Sequence, residues 1–151
     1  MWPFSTDKHF FSKEDNDLIV QSIRDAERQT SGEIRVFIES HCEYVEPLDR
    51  AAEIFAKLKM ENTKLRNGVL FYVAMKDHQL AIFADKGIHD AAGHEYWKSM
   101  VKQKLSVFKN DSVAHGIMAT ITAIGDTLKT YFPYEHEVDK NELPDQIIFG
   151  A

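Results

Sequence analysis

The sequence contains a single cysteine, Cys42, so no intrachain disulfide can form and nothing implies an oxidising compartment. It also lacks a long hydrophobic run, because the longest nearly apolar stretch, residues 68–75, is far shorter than the roughly 20 residues that span a bilayer. Residues 1–8 show no basic segment followed by an apolar one, which argues against a signal peptide. We therefore expect a cytoplasmic protein without membrane insertion.

Positive charge is also in short supply. Eighteen lysines and arginines against 24 acidic residues give a formal net charge of -6. A protein that neutralises phosphates needs a surplus of clustered basic residues, so nucleic acid is not an expected partner. A divalent cation suits this balance better.

Length and composition are those of one globular unit. With 151 residues, of which 44% are hydrophobic and 28% charged, the chain predicts a single domain over residues 1–151. We expect the core at about residues 10–132. The tail, residues 133–151, ends in the apolar residues Ile147, Ile148 and Phe149, so we expect it to dock on the body.

Hydrophobic spacing predicts alternating helices and strands. Apolar residues at helical spacing predict helices over about 13–29, 47–60, 91–108 and 112–131. Alternation over residues 33–39 predicts a strand with one partly wet polar face, and the apolar run 69–75 predicts a central strand covered on both faces. A helix between them predicts a parallel pair, and the polar break before residues 80–84 predicts an antiparallel hairpin. The expected fold is a three-layer α/β/α sandwich with a small mixed sheet.

This topology places polar residues from three strand ends at one edge of the sheet. Glu33 begins the first parallel strand, Asn67 lies just before the second, and Asp85 follows the antiparallel strand. Oxygen donors of this kind suit calcium, so we predict a calcium site at Glu33, Asn67 and Asp85, with Asp90 as a further ligand. Gly87 would take a positive φ or let a ligand approach the helix that follows. The alternative is that Asp90 caps that helix while Glu33 and Asp85 are solvated.

Other chemistries have less support. His89 and His94 are five residues apart and would not share a helix face as an i, i+4 pair does, so they do not predict a zinc site. No second thiol is available beside Cys42, and the neighbouring Glu43 would not activate it. The sequence contains neither a nucleophile elbow nor a phosphate-binding glycine loop.

Three segments in order resemble a known family. They are Thr30-Ser31-Gly32-Glu33-Ile34-Arg35-Val36, then Arg66-Asn67-Gly68-Val69-Leu70, then Ala81-Ile82-Phe83-Ala84-Asp85-Lys86-Gly87-Ile88. Together they resemble the TPM domain family, named after thylakoid-lumen, photosystem II repair and worm receptor-accessory proteins. The resemblance covers about residues 10–132, and the chain is similar to the short soluble bacterial branch of the family.

The resemblance implies an α/β/α sandwich that binds divalent metal, notably calcium. It also implies acid phosphatase activity, which has been described for a plant member. Three hypotheses follow: a calcium-binding domain with an accessory or regulatory role, a weak metal-assisted acid phosphatase, and a protein-interaction module. The partners expected are a divalent cation and another protein.

Overall fold

The computed structural model describes residues 10–110, 112–134 and 147–150. The elements in chain order are α1 (Lys13–Glu27), β1 (Glu33–Glu39), α2 (Pro47–Lys57), β2 (Gly68–Ala74), β3 (Gln79–Ala84), α3 (Lys86–Ala92), α4 (His94–Asn110), α5 (Val113–Tyr131) and β4 (Ile147–Phe149). No helix within these ranges has both the length and the apolar character needed to cross a bilayer.

The four strands form one mixed sheet in the order β3-β2-β1-β4. β1 pairs in parallel with β2 and with β4, while β2 pairs antiparallel with β3 through a tight hairpin. The predicted parallel pair and hairpin are confirmed. β4 is a third parallel strand that the sequence did not predict, and residues 143–146 of the tail lie outside the described residues.

Helices cover both faces of the sheet, which confirms the predicted α/β/α class. The alternate side chains Ile34, Val36 and Ile38 of β1 belong to a core shared with α1, α3, α4 and α5. Phe37 and the facing side chains of β2 belong to a second core with α2. Every residue of β1 and β2 is buried, as two covered faces require.

The expectation of a partly wet polar face on β1 was wrong. Glu33, Arg35 and Glu39 are at most 7% exposed. They share the face of Phe37, which α2 covers, and Arg50 of α2 forms an ion pair with Glu39. Polar alternation here marks side chains that are buried with partners.

The helix predicted over about residues 91–108 corresponds to α4, which begins at His94, and the segment expected to lead into it forms the separate short helix α3. Gly93 has a φ of 95°, a left-handed conformation that residues with a Cβ rarely adopt, and it separates α3 from α4. α3 begins at Lys86 with Asp85 as its N-cap, so the alternative that Asp90 caps the helix was wrong. Asp90 lies within α3.

Gly87 is required for a close backbone approach and not for a positive φ. A Cβ at this position would lie 2.2 Å from the carbonyl oxygen of Leu65 and 2.7 Å from that of Arg66. The Gly87 amide donates to that Arg66 oxygen at 2.8 Å, so the first turn of α3 rests on the segment before β2. Both obstacles are backbone atoms, which cannot rotate away.

We predict that Gly87→Ala lowers the free energy of unfolding by about 1–3 kcal/mol, the usual range for overpacking. Chemical denaturation followed by circular dichroism measures the change. Lys86→Ala is the matched control in the same turn, because Lys86 is exposed and such a substitution changes stability by about 0.5 kcal/mol or less. Equal stability of Gly87→Ala and the parent protein would contradict the packing argument.

Candidate functional site

Glu33, Asn67 and Asp85 lie at one edge of the sheet. The Glu33 amide donates to the Asn67 carbonyl at 3.4 Å, and the Asp85 amide donates to the carbonyl of Gly68 at 2.9 Å. All three side chains belong to residues that are at most 3% exposed. Strand direction alone therefore brought the three positions to neighbouring strand ends.

The carboxylate of Asp85 is engaged by two groups. Arg66 donates from Nε to Oδ2 at 2.7 Å and from Nη2 to Oδ1 at 2.8 Å, and the Lys86 amide donates to Oδ1 at 2.8 Å. This bidentate pair raises the pKa of the Arg66 guanidinium, chiefly through the hydrogen bond to Asp85. A calcium ion would have to compete with Arg66 for this carboxylate.

Asn67 and Asp90, two of the three other predicted ligands, differ in their surroundings. Asn67 donates from Nδ2 to the hydroxyl of Ser31 at 3.3 Å. Asp90 is exposed, and its Oδ1 lies 3.7 Å from Nδ1 of His89. Across the described part of the chain, no three histidine, cysteine, aspartate or glutamate residues form a group able to hold a metal ion.

The N-terminus of α3 offers little to an anion. Its first amide, Lys86, donates to Asp85, and its second, Gly87, donates to the Arg66 carbonyl. With seven residues, α3 is also a short dipole. A phosphate bound there, as the phosphatase hypothesis requires, would have to displace these contacts.

A groove that the sequence analysis missed runs along β3. Its volume is about 770 Å³. β3 forms the floor, Pro47 and Leu48 of α2 line one wall, and Trp97 and Val101 of α4 line the other. The predicted hairpin was the sequence feature that could have revealed this groove. Its second strand, β3, was predicted to pair with β2 on one side, and no other predicted strand was available to pair with it on the other side.

The floor of this groove is an open strand edge. β3 has no strand on its outer side among the described residues. The Asp85 amide bonds inward to Gly68, and antiparallel pairs alternate, so the backbone groups of Leu80, Ile82 and Ala84 point toward the open edge. Three residues therefore present peptide N–H and C=O groups along the groove.

Trp97 and two lysines complete the lining of the groove. The residue is 4% exposed, and its indole Nε1 is buried without a hydrogen-bond partner in the described ranges. The Nε1 atom is therefore not accessible to a ligand in the groove, and Trp97 lines the wall with other atoms of its side chain. The exposed side chains of Lys86 and Lys98 line the same groove and form no ion pair with a described residue.

A second polar cluster lies where β1 ends. Glu39 accepts two hydrogen bonds from Arg50, both at 2.9 Å, and a short one from the hydroxyl of Tyr72 on β2. Arg50 also donates to Glu53, which accepts from Tyr44. Burial and then the hydrogen bond to Glu39 raise the pKa of Tyr72. These contacts hold α2 against the sheet, and the polar groups of the cluster bond to one another.

The fold and these sites can now be compared with known proteins. The sequence profile of the TPM domain matches residues 5–127, which is most of the chain. The chain therefore belongs to the TPM domain family. Among curated proteins, none matches it significantly.

Solved structures agree with this assignment. BA42, from the psychrophilic bacterium Bizionia argentinensis, is 41% identical, with a TM-score of 0.85 over 95% of this chain and 98% of BA42. The N-terminal domain of cg2496 from Corynebacterium glutamicum is 16% identical, with a TM-score of 0.61 over 79% of this chain and 74% of that one. An N-terminal domain from P. gingivalis is 15% identical, with a TM-score of 0.66 over 81% and 78%. The last two show likeness of fold alone.

We predict that Tyr72 makes stability fall at alkaline pH. A tyrosine with a raised pKa in the folded state loses its proton first in the unfolded chain, so its contribution is present below about pH 10 and is lost above it. Denaturation curves at pH 9 to 11 should show Tyr72→Phe with a shallower decline, by up to about 1.4 kcal/mol per pH unit. If the stability of the parent protein and that of Tyr72→Phe declined equally with rising pH, this role of Tyr72 would be contradicted.

Proposed function

We propose that this TPM domain is an accessory interaction module that binds an extended segment of another protein along β3. The observation that carries the proposal is the open edge of β3 at the floor of a groove of about 770 Å³. An extended peptide that pairs with an edge strand gains main-chain hydrogen bonds, and neighbouring pockets select its side chains. The interaction hypothesis thus has a specific surface.

The walls indicate the chemistry of the partner. Leu48 is 43% exposed and Val101 is partly buried, so both offer apolar contact to alternate side chains of a bound strand. Lys86 and Lys98 favour carboxylates near the end of β3. We therefore expect an extended apolar segment that ends in acidic residues.

The test uses a labelled peptide of alternating valine and threonine that ends in two glutamates. Its addition should shift the amide resonances of Gln79–Ala84 and those facing them on α4. A matched peptide ending in two lysines should bind more weakly. The substitution Lys98→Glu should lower the affinity for the acidic peptide roughly threefold, as expected for the loss of an exposed ion pair. Lys129→Glu, at an exposed site on α5, is the control and should leave the affinity unchanged.

Methylated peptide amides separate strand pairing from mere apolar contact. Methyl groups on the amides that face β3 should abolish binding, while methyl groups on the alternate amides should not. Equal binding of the two methylated peptides would contradict the proposal. So would concentration-dependent shifts of β3 without peptide, because they would assign the edge to a second copy of the chain.

Calcium binding remains a second candidate because Glu33, Asn67 and Asp85 lie at adjacent strand ends. The Arg66 guanidinium already balances the charge of Asp85, so we expect weak binding. The phosphatase alternative rests on the family resemblance, since the amides at the start of α3 are engaged.

A calcium titration followed by amide chemical shifts tests this candidate. Shifts near residues 31–33, 66–68 and 85–91 are expected. Arg66→Gln should increase the affinity because it frees the carboxylate, and Asp85→Asn should decrease it. Asp25→Asn, at an exposed carboxylate on α1, is the control. Unchanged spectra at millimolar calcium in the parent protein and in Arg66→Gln would rule the site out.

A further inference from the structure

Two histidines meet where the chain turns from α3 into α4. Nε2 of His89 lies 3.4 Å from Nδ1 of His94, and their ring centroids are 5.5 Å apart. They would not face each other on one continuous helix. The left-handed conformation of Gly93 breaks the helix between them and brings the two rings together at the edge of the groove.

The separation of the two nitrogens is at the long end for a hydrogen bond and matches that of two imidazole ligands on one metal ion. An N–H donor and its acceptor are usually about 2.9–3.0 Å apart, so 3.4 Å is long for a direct contact. Two imidazole nitrogens on a tetrahedral ion, each about 2.0–2.1 Å from it, lie roughly 3.4 Å from each other. The two nitrogens are therefore already at the separation that a shared ion requires, and loss of the proton between them with a rotation of the rings would direct both lone pairs at the ion.

We propose that His89 and His94 form a two-histidine site for a transition-metal dication such as Zn²⁺. Imidazole nitrogen suits zinc, nickel and copper, whereas calcium takes oxygen ligands, so this site differs in chemistry from the one predicted at the sheet edge. The described residues supply no third ligand, so water fills the remaining positions. Binding is therefore weaker than at a structural zinc site with four protein ligands.

The carboxylate of Asp90 supports this arrangement. Its Oδ1 lies 3.7 Å from Nδ1 of His89, the ring nitrogen that faces away from His94. At this distance the carboxylate does not hydrogen-bond the ring, but its negative charge beside the pair favours a bound dication. Asp90 would thus contribute charge to the site and not a metal ligand.

The site is open to solvent. His94 is exposed, and the His89 side chain retains 39% of its accessible area. A metal ion can therefore reach the pair without opening the fold, and substitutions at either position leave the core intact.

The experiment titrates the full chain with zinc chloride and follows the side-chain nitrogens of histidine by NMR, with affinity from calorimetry. We expect Nε2 of His89 and Nδ1 of His94 to shift together and EDTA to reverse the shift. His89→Gln and His94→Gln should each weaken zinc binding by about tenfold or more, because each removes one of the two protein ligands. His115→Gln, at an exposed histidine on α5, is the control and should not change the affinity.

A third variant tests the geometry while both imidazoles remain. Gly93→Ala meets no atom within 4 Å but disfavours the positive φ that brings the rings together, so it should weaken zinc binding. Circular dichroism checks that each variant is folded. Zinc affinity that survives in both histidine variants, or zinc that is displaced by equimolar calcium, would overturn the proposal.

Discussion

The fold depends on a central strand that carries ionisable side chains and is nevertheless buried along its whole length. Glu39 on β1 is 7% exposed, and a charge so placed needs a partner. Arg50 supplies it from α2, and Tyr72 adds a hydrogen bond from β2. Because removal of one partner of a buried pair is strongly destabilising, these contacts fix where α2 lies across the sheet. The position of α2 in turn forms one wall of the groove along β3.

Much of the architecture could be predicted from residue spacing. The apolar run of β2 has no polar face, so it required a layer on each side, and both layers are present. The alternating pattern of β1 led to a wrong prediction of exposure. Its polar residues Glu33, Arg35 and Glu39 resemble a solvated face in the sequence, but α2 buries them in the structure. Alternation of apolar and polar residues identifies a strand, but the exposure of its polar face depends on whether a helix covers that face.

The candidate sites were predicted less completely. Strand direction sufficed to place Glu33, Asn67 and Asp85 at neighbouring ends. It could not show that Arg66 takes the Asp85 carboxylate, because that pair depends on a left-handed residue just before β2, with a φ of 51° at Arg66. Spacing along a continuous helix also hid the approach of His89 to His94. The signal was a glycine directly before His94, since glycine often marks a helix end.

The fourth strand has a consequence for the edges of the sheet. β4 pairs with β1 in parallel, through partners such as Val36 and Ile147 that are roughly 110 residues apart in sequence. Contacts of such long sequence separation form more slowly than the local contacts of the β2–β3 hairpin, and without β4 the strand β1 would be an edge strand. Gly150 then seals this edge, because its amide bonds to Ile38 and its missing side chain leaves room for Glu39. β4 is itself the outer strand on that side, so the described sheet keeps two edges: the three-residue edge of β4 and the six-residue edge of β3 that carries the groove.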